Sequence, residues 1–310
     1  MLHYFVKNSL LGEFQRITVP RYKDVWIHAG NATVNDVEEI SKNAGLNANI
    51  VHDVTDANEL PRVEYDNGDL YVFTRIPTKD KHGHVTASPL LSIVTKDAFI
   101  TLSHDGSLNP SELVKIKLKA KQDQSINLLI NSLAHVIQTY ETLIQETGHV
   151  VNDIGKRLRT HEVTNSDFVR FVTIEDNLNI YRMNLNGLHV ITQRLTENIH
   201  RSFHNSDTEA LGDISLHVQQ LVAAVEGYSQ TVVSIRNAYS TIANNTLNQR
   251  MKILTLLTVL VALPNVFYGM YGMNVDLPFQ HAPWAFGVIS AIVVTVVILV
   301  ITMVRKFKAF

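Results

Sequence analysis

The spacing of apolar residues changes twice along this chain, and each spacing predicts a different kind of element. Over residues 1 to about 120, alternating and helical patterns are mixed. Asp66-Asn67-Gly68-Asp69 lies between Arg62-Val63-Glu64-Tyr65 and Leu70-Tyr71-Val72-Phe73, which predicts a hairpin turn between two strands. Residues 90–94 and 98–102 predict two more strands. Thr33, followed by Asp36 ahead of Val37 and Ile40, has the form of an N-cap, and Asn109-Pro110-Ser111 opens a further helix. Residues 1–121 therefore read as an α/β domain with a soft boundary near Gln122.

From there to residue 252 the pattern is almost wholly helical. It predicts a helix over 125–159, a turn at 160–165, a second helix to about His200, a turn at 204–207 and a third helix beyond. In that third helix Leu211, Ile214, Val218, Leu221, Val225, Tyr228, Val232, Ile235, Tyr239 and Ile242 alternate steps of three and four, the signature of helices packing along their length. The seam serves either assembly of several chains or packing against the two preceding helices. No proline or glycine falls between Tyr228 and Leu263, so this stalk and the apolar stretch after it read as one continuous helix, about 60 Å long from Leu211 to Lys252 alone.

In the last sixty residues the pattern becomes continuous: 253–272 and 284–304 are apolar and hold no charged residue. Twenty helical residues reach about 30 Å, the thickness of a bilayer's hydrocarbon core, so both predict membrane spans. Arg250 and Lys252 precede the first and Arg305, Lys306 and Lys308 follow the second, whereas the loop 273–283 carries only Asp276 and His281. Basic flanks stay in the cytoplasm, which puts both termini inside and the loop outside. The fold class is then an α+β membrane protein: a cytosolic α/β domain (1–121), a cytosolic helical region and stalk (122–252), and a transmembrane hairpin with a basic cytosolic tail (253–310). The N-terminus shows no signal-peptide pattern, so insertion into the cell membrane relies on the hairpin.

Composition narrows the function. A net charge of −2 gives no pull toward nucleic acid, and the absence of cysteine removes disulfides and thiolate metal sites. No phosphate-loop or His-Glu-x-x-His motif occurs, which leaves nucleotide coupling and zinc hydrolysis without support and predicts a protein that is not an enzyme. Continuing the seam into the span gives a different surface: Asn248, Thr255, Thr258, Ala262, Asn265 and Gly269. An amide at mid-membrane, Asn265, faces a bundle interior or a wet cavity, so this stripe is either a pore lining or interhelical glue. Pro264 beside it removes a helical hydrogen bond and is a candidate kink. Two spans per chain enclose no aqueous path, so conduction requires a symmetric homo-oligomer.

Tyr271-Gly272-Met273-Asn274 at the end of the first span, the Met251-Lys252-Ile253-Leu254-Thr255 entry to it and the basic C-terminus together resemble the CorA family of divalent-cation channels. The likeness covers about sixty residues closely and the cytosolic part in outline. It implies a funnel-shaped homopentamer importing Mg²⁺, with Co²⁺ and Ni²⁺ as further cargoes, down the membrane potential. It also implies a pore lined by Asn248, Met251, Thr255, Thr258, Ala262, Asn265 and Gly269. At the mouth, Asn274 amides would hold a hydrated ion, Gly272 would permit the turn that presents them, and Tyr271 and Met273 would pack that turn. The segment after Asn274 departs from the family's acidic loop and leaves Asp276 as the acid at the mouth.

Regulation by intracellular Mg²⁺ is a further implication of the resemblance. Asp213 falls where the family's helix acid lies, and Asp80 is the candidate partner from the first domain. Among the fourteen histidines, His200 and His204 read as an i, i+4 pair on one helix face with Asp207 nearby, which keeps a zinc-transporting branch of the family as the alternative. A membrane-tethered cation sensor is the third reading.

Overall fold

A computed structural model describes residues 2–7, 14–114, 124–159, 165–200, 202–275 and 281–306. Seven strands, β1 (Leu2–Lys7), β2 (Phe14–Ile17), β3 (Val25–Ala29), β4 (Arg62–Asp66), β5 (Asp69–Lys79), β6 (Val85–Val94) and β7 (Ala98–Ser103), form one sheet. Their order is β2-β1-β3-β7-β6-β5-β4; β3 and β7 run parallel and every other pairing is antiparallel. The expected hairpin is β4–β5, where Asn67 (φ 52°) and Gly68 (φ 92°) make the positive-φ turn whose twist matches the strands. All five residues of β3 and all six of β7 are buried, because these central strands are covered on both faces.

One face carries α1 (Val34–Ala44) and α2 (Ala48–His52). Thr33 and Asp36 close the expected capping box on α1, and Gly45 ends it in the left-handed conformation at φ 72°. Val37, Ile40 and Val51 pack there with Ile27, Tyr71 and Ile100. Beside this layer Arg62 bonds Asp53 (2.7 Å), Glu59 and Glu64, and its guanidinium lies 4.0 Å from the Phe73 ring centroid.

On the other face lie α4 (Gln124–Arg159), α5 (Asn165–Glu197) and the first part of α6 (Asn205–Tyr271), after the short α3 (Pro110–Val114) that Asn109 opens. One core joins Trp26, Val72, Leu90 and Phe99 of the sheet to Leu133, Ile144, Leu178, Leu188, Leu211, Val218, Val225, Val232 and Ile235 of the helices. The α6 seam therefore packs within the chain, at least to Ile235. Two α4 glycines receive it: a Cβ on Gly148 would fall 2.4 Å from the Tyr228 ring, and one on Gly155 would fall 3.3 Å from Ile235. Buried Asn177 of α5 clips the β5–β6 turn, accepting from the Val85 N–H (2.9 Å) and donating to the Gly83 carbonyl (2.8 Å).

Residues 1–236 make one compact unit and 237–310 a second. The change near Gln122, which itself lies outside the described residues, is thus one of secondary structure within a shared core. The turn expected at 204–207 lies earlier, because His204 already caps α6: its N–H reaches the Asp207 carboxylate (3.0 Å) and its carbonyl accepts from the Asp207 N–H (3.0 Å). Pro264 lies inside α6, which continues as helix through it to Tyr271.

Fully enclosed on the helical side of the sheet, His28 shares the Thr101 hydroxyl (2.9 Å) with the Trp26 indole N–H (2.9 Å). Burial, then the neighbouring His3, pushes its pKa down to about 4. The neutral ring is the folded form, so this stability is complete above the unfolded value of about 6.5 and is lost as pH falls through about 4, by about 3 kcal/mol in all. Thermal unfolding of detergent-solubilised protein should show a midpoint that falls across that window. His28→Gln should flatten the slope, and an unchanged slope would remove His28 from the account.

Candidate functional site

Residues 237–310 contain the rest of α6 and α7 (Ala285–Lys306). No residue of the most apolar 18-residue stretch of α6 is buried, and only 6% of that of α7 is. Such surface is not left to water in a folded chain; it is covered by lipid or by other chains. On α6 the half-buried positions are Leu256, Leu260, Leu263, Pro264, Phe267 and Tyr271, one stripe in steps of three and four. The shielded side of α7 runs through Ala285, Ile289, Val293, Val296 and Val300 in the same rhythm. These are the partly covered faces of the two helices.

Thr255, Thr258, Ala262, Asn265 and Gly269 are all exposed, as are Asn248 and Met251 before them. With about 3.6 residues per turn, this stripe lies on roughly the opposite side of α6 from the shielded one. The Thr255 hydroxyl donates back to the Met251 carbonyl (2.9 Å) and that of Thr258 to the Leu254 carbonyl (2.9 Å). Their protons are thus spent on the helix, and the oxygens present lone pairs outward. That polarity was not readable from residue type, because a threonine on a stripe is equally a donor until its partner is known. The surface offers oxygen acceptors with no carboxylate, imidazole or ammonium among them.

At the end of α6, the Gly272 N–H closes the last helical bond to the Tyr268 carbonyl (3.0 Å), and the Met273 N–H tightens to the Met270 carbonyl (3.3 Å). Gly272 is not in the left-handed region. A Cβ there would meet the Tyr268 oxygen at 3.3 Å and the Gly269 oxygen at 3.6 Å, so close backbone approach, rather than a special φ, favours glycine. Tyr271 is half-buried and Met273 is 54% exposed. Asn274 is exposed at the tip, as is His281 where the chain resumes; Asp276 lies outside the described residues.

The candidates in residues 1–236 are less convergent. Asp80 caps the β5–β6 turn: its carboxylate accepts from the His84 (2.9 Å) and His82 (2.8 Å) N–H groups, which hold it below the usual carboxylate range. Asp213 is exposed on α6. His200 and His204 do not share a helix, because α5 ends at Glu197 and α6 begins at Asn205. The His200 ring instead stacks on Tyr65 at 3.9 Å, and His204 lies 3.7 Å from the buried carboxylate of Asp207. Among the described residues no three His, Asp or Glu side chains converge as a metal site. Zn²⁺ titration of the purified protein should accordingly give the same stoichiometry for wild type and His204→Ala; loss of one equivalent would restore the pair as a ligand set.

Comparison with known proteins gives a consistent result. A family model described as CorA-like Mg²⁺ transporter protein matches residues 23–306. The chain is 21% identical over 303 residues to the cobalt/magnesium transport protein CorA of Methanocaldococcus jannaschii, covering 95% of this chain and 94% of that protein. The complete structure of the CorA magnesium transporter from the same organism superposes with a TM-score of 0.87 at 19% identity, covering 99% of this chain and 98% of the other. The cytoplasmic domain of ZntB from Vibrio parahaemolyticus is similar in fold, with a TM-score of 0.64 at 10% identity over 78% of this chain and 98% of that domain.

Proposed function

The chain belongs to the CorA-like Mg²⁺ transporter family, whose members are transporters and not enzymes, and from that premise we propose that it is a passive Mg²⁺ channel of the cell membrane driven by membrane potential. Transport of divalent cations is what its relatives named cobalt/magnesium transport proteins support. The observation that carries the finer reading is the α6 stripe, an exposed row of amide and hydroxyl oxygens on the side opposite the half-buried residues. Mg²⁺ demands octahedral oxygen coordination and dehydrates reluctantly, so neutral acceptors that bind the protons of its first-shell water suit it. A stripe without imidazole or thiolate gives softer Zn²⁺ no comparable ligand.

One chain supplies one wall of such a path. Closing it takes several copies with their stripes around an axis, for which the family resemblance supports five, with α7 outside. Gly272 and Asn274 then belong to the mouth on the outer side, with both termini in the cytoplasm. A divalent ion moving inward gains about 4.6 kcal/mol per 100 mV, twice the single-charge value, so no nucleotide is required. Bound between neighbouring subunits at Asp213 and Asp80, intracellular Mg²⁺ would favour a closed state and restrain flux as the cell fills.

Flux into proteoliposomes tests this. Mg²⁺ should enter under an inside-negative potential alone, and Asn274→Ala should abolish entry while leaving assembly intact; undiminished entry would remove Asn274 from the mouth. Zn²⁺ entry that depends on a proton gradient would favour the zinc branch, and no flux of either ion would favour a tethered sensor. For regulation, Asp213→Lys should weaken inhibition by internal Mg²⁺, and unchanged inhibition in a correctly assembled protein would reject that role.

A further inference from the structure

We propose that the loop end of the helical hairpin docks into the headgroup layer of the bilayer through Trp284 and Phe286, so that lipid contact at the start of α7 sets the depth of the two spans. This rests on the membrane reading above but not on the identity of the cargo. The Trp284 carbonyl accepts the first bond of α7 from the Val288 N–H (3.2 Å), and the Ala285 N–H closes a turn on the Ala282 carbonyl (3.0 Å). Trp284 is thereby fixed at the helix start. Ala285, at 8% exposure, lies on the shielded side, whereas its neighbours turn outward: Trp284 is 54% and Phe286 77% exposed. Tyr268, 46% exposed three residues before the end of α6, adds a third ring to the loop end of the hairpin.

Phe286, like most of α7 uncovered within this chain, sits beside an indole at the helix start, and both are accounted for if that end meets an environment both apolar and wet. The indole, an apolar body with one N–H donor, fits the same layer, where tryptophan and tyrosine concentrate. The opposite end of each span is marked differently in the sequence, by Arg250 and Lys252 before one and Arg305 and Lys306 after the other. From Phe286 to Arg305 the helical rise is about 28 Å, close to one hydrocarbon thickness. Aromatic rings at one boundary and cations at the other bracket a single slab, and a bilayer supplies both boundaries. A second copy of the chain covering the rings has no such two-ended match.

The chain holds two tryptophans, and Trp26 is fully buried in the first unit, so Trp284 is the one that lipid can reach. Full-length protein in liposomes whose lipids carry bromine either just below the headgroup or near the chain end should lose emission mainly to the shallow bromine, by up to one tryptophan's share. Trp284→Phe should abolish that loss while Trp26 reports an intact fold. Quenching by neither lipid, as for a ring in water or covered by protein, overturns the proposal, as does stronger quenching by the deep bromine. Quenching without cation flux would retain it and reject the channel; flux without quenching would do the reverse.

Discussion

Burial in this protein is governed by one helix that has to satisfy two solvents. Over its first eight turns α6 spends its apolar residues on a water-excluding core with α4, α5 and the sheet. Later the same three-and-four rhythm continues, but no residue of its most apolar stretch is buried. A soluble fold does not carry that much unshielded surface, and the amide and hydroxyl row on one side of it departs from a purely apolar helix. Both statements follow from a single helical period, read first against protein and then against lipid or other chains.

What the sequence made legible was what local chemistry decides. The Asn67-Gly68 turn, the Thr33 and Asp36 box and the Asn109 cap each need only neighbours in the chain, and all three formed where expected. The two helices long and apolar enough to cross a membrane were visible because length and charge suffice to define them. β1, β2 and β3 were not delineated: β2 is a four-residue edge with two exposed positions, and β3 contains His28, a polar break in an apolar run. The partner that makes β3 a central strand, β7, lies some seventy residues further on, beyond the reach of any local pattern. The seam's two readings also needed coordinates, since a heptad does not say whose helix it meets; Gly148 and Gly155 of α4 answered that.

The site divides along the same line. That Thr255, Thr258, Asn265 and Gly269 share a side of α6 is a matter of helical period and was readable. Which way the threonine protons point was not, because it depends on hydrogen bonds to carbonyls one turn back. The sequence also overstated convergence: His200 and His204 have the right spacing for a ligand pair, but both lie between α5 and α6 rather than on one helix, and Tyr65 takes the first ring while Asp207 sits beside the second. Asp80 has a role that its residue type does not disclose, since its carboxylate ties the β5–β6 turn.

The two faces of α6 beyond residue 250 lie on roughly opposite sides, one half-buried through Leu256, Leu260, Leu263 and Phe267, the other bearing the exposed oxygen row. The helix's partly covered face and its surface chemistry are therefore written in separate residues. Thr258 and Asn265 take no part in the half-buried stripe, and Leu256 and Leu260 take no part in the oxygen row. A helix partitioned in this way lets the chemistry of one face drift, or be redesigned, without renegotiating the other.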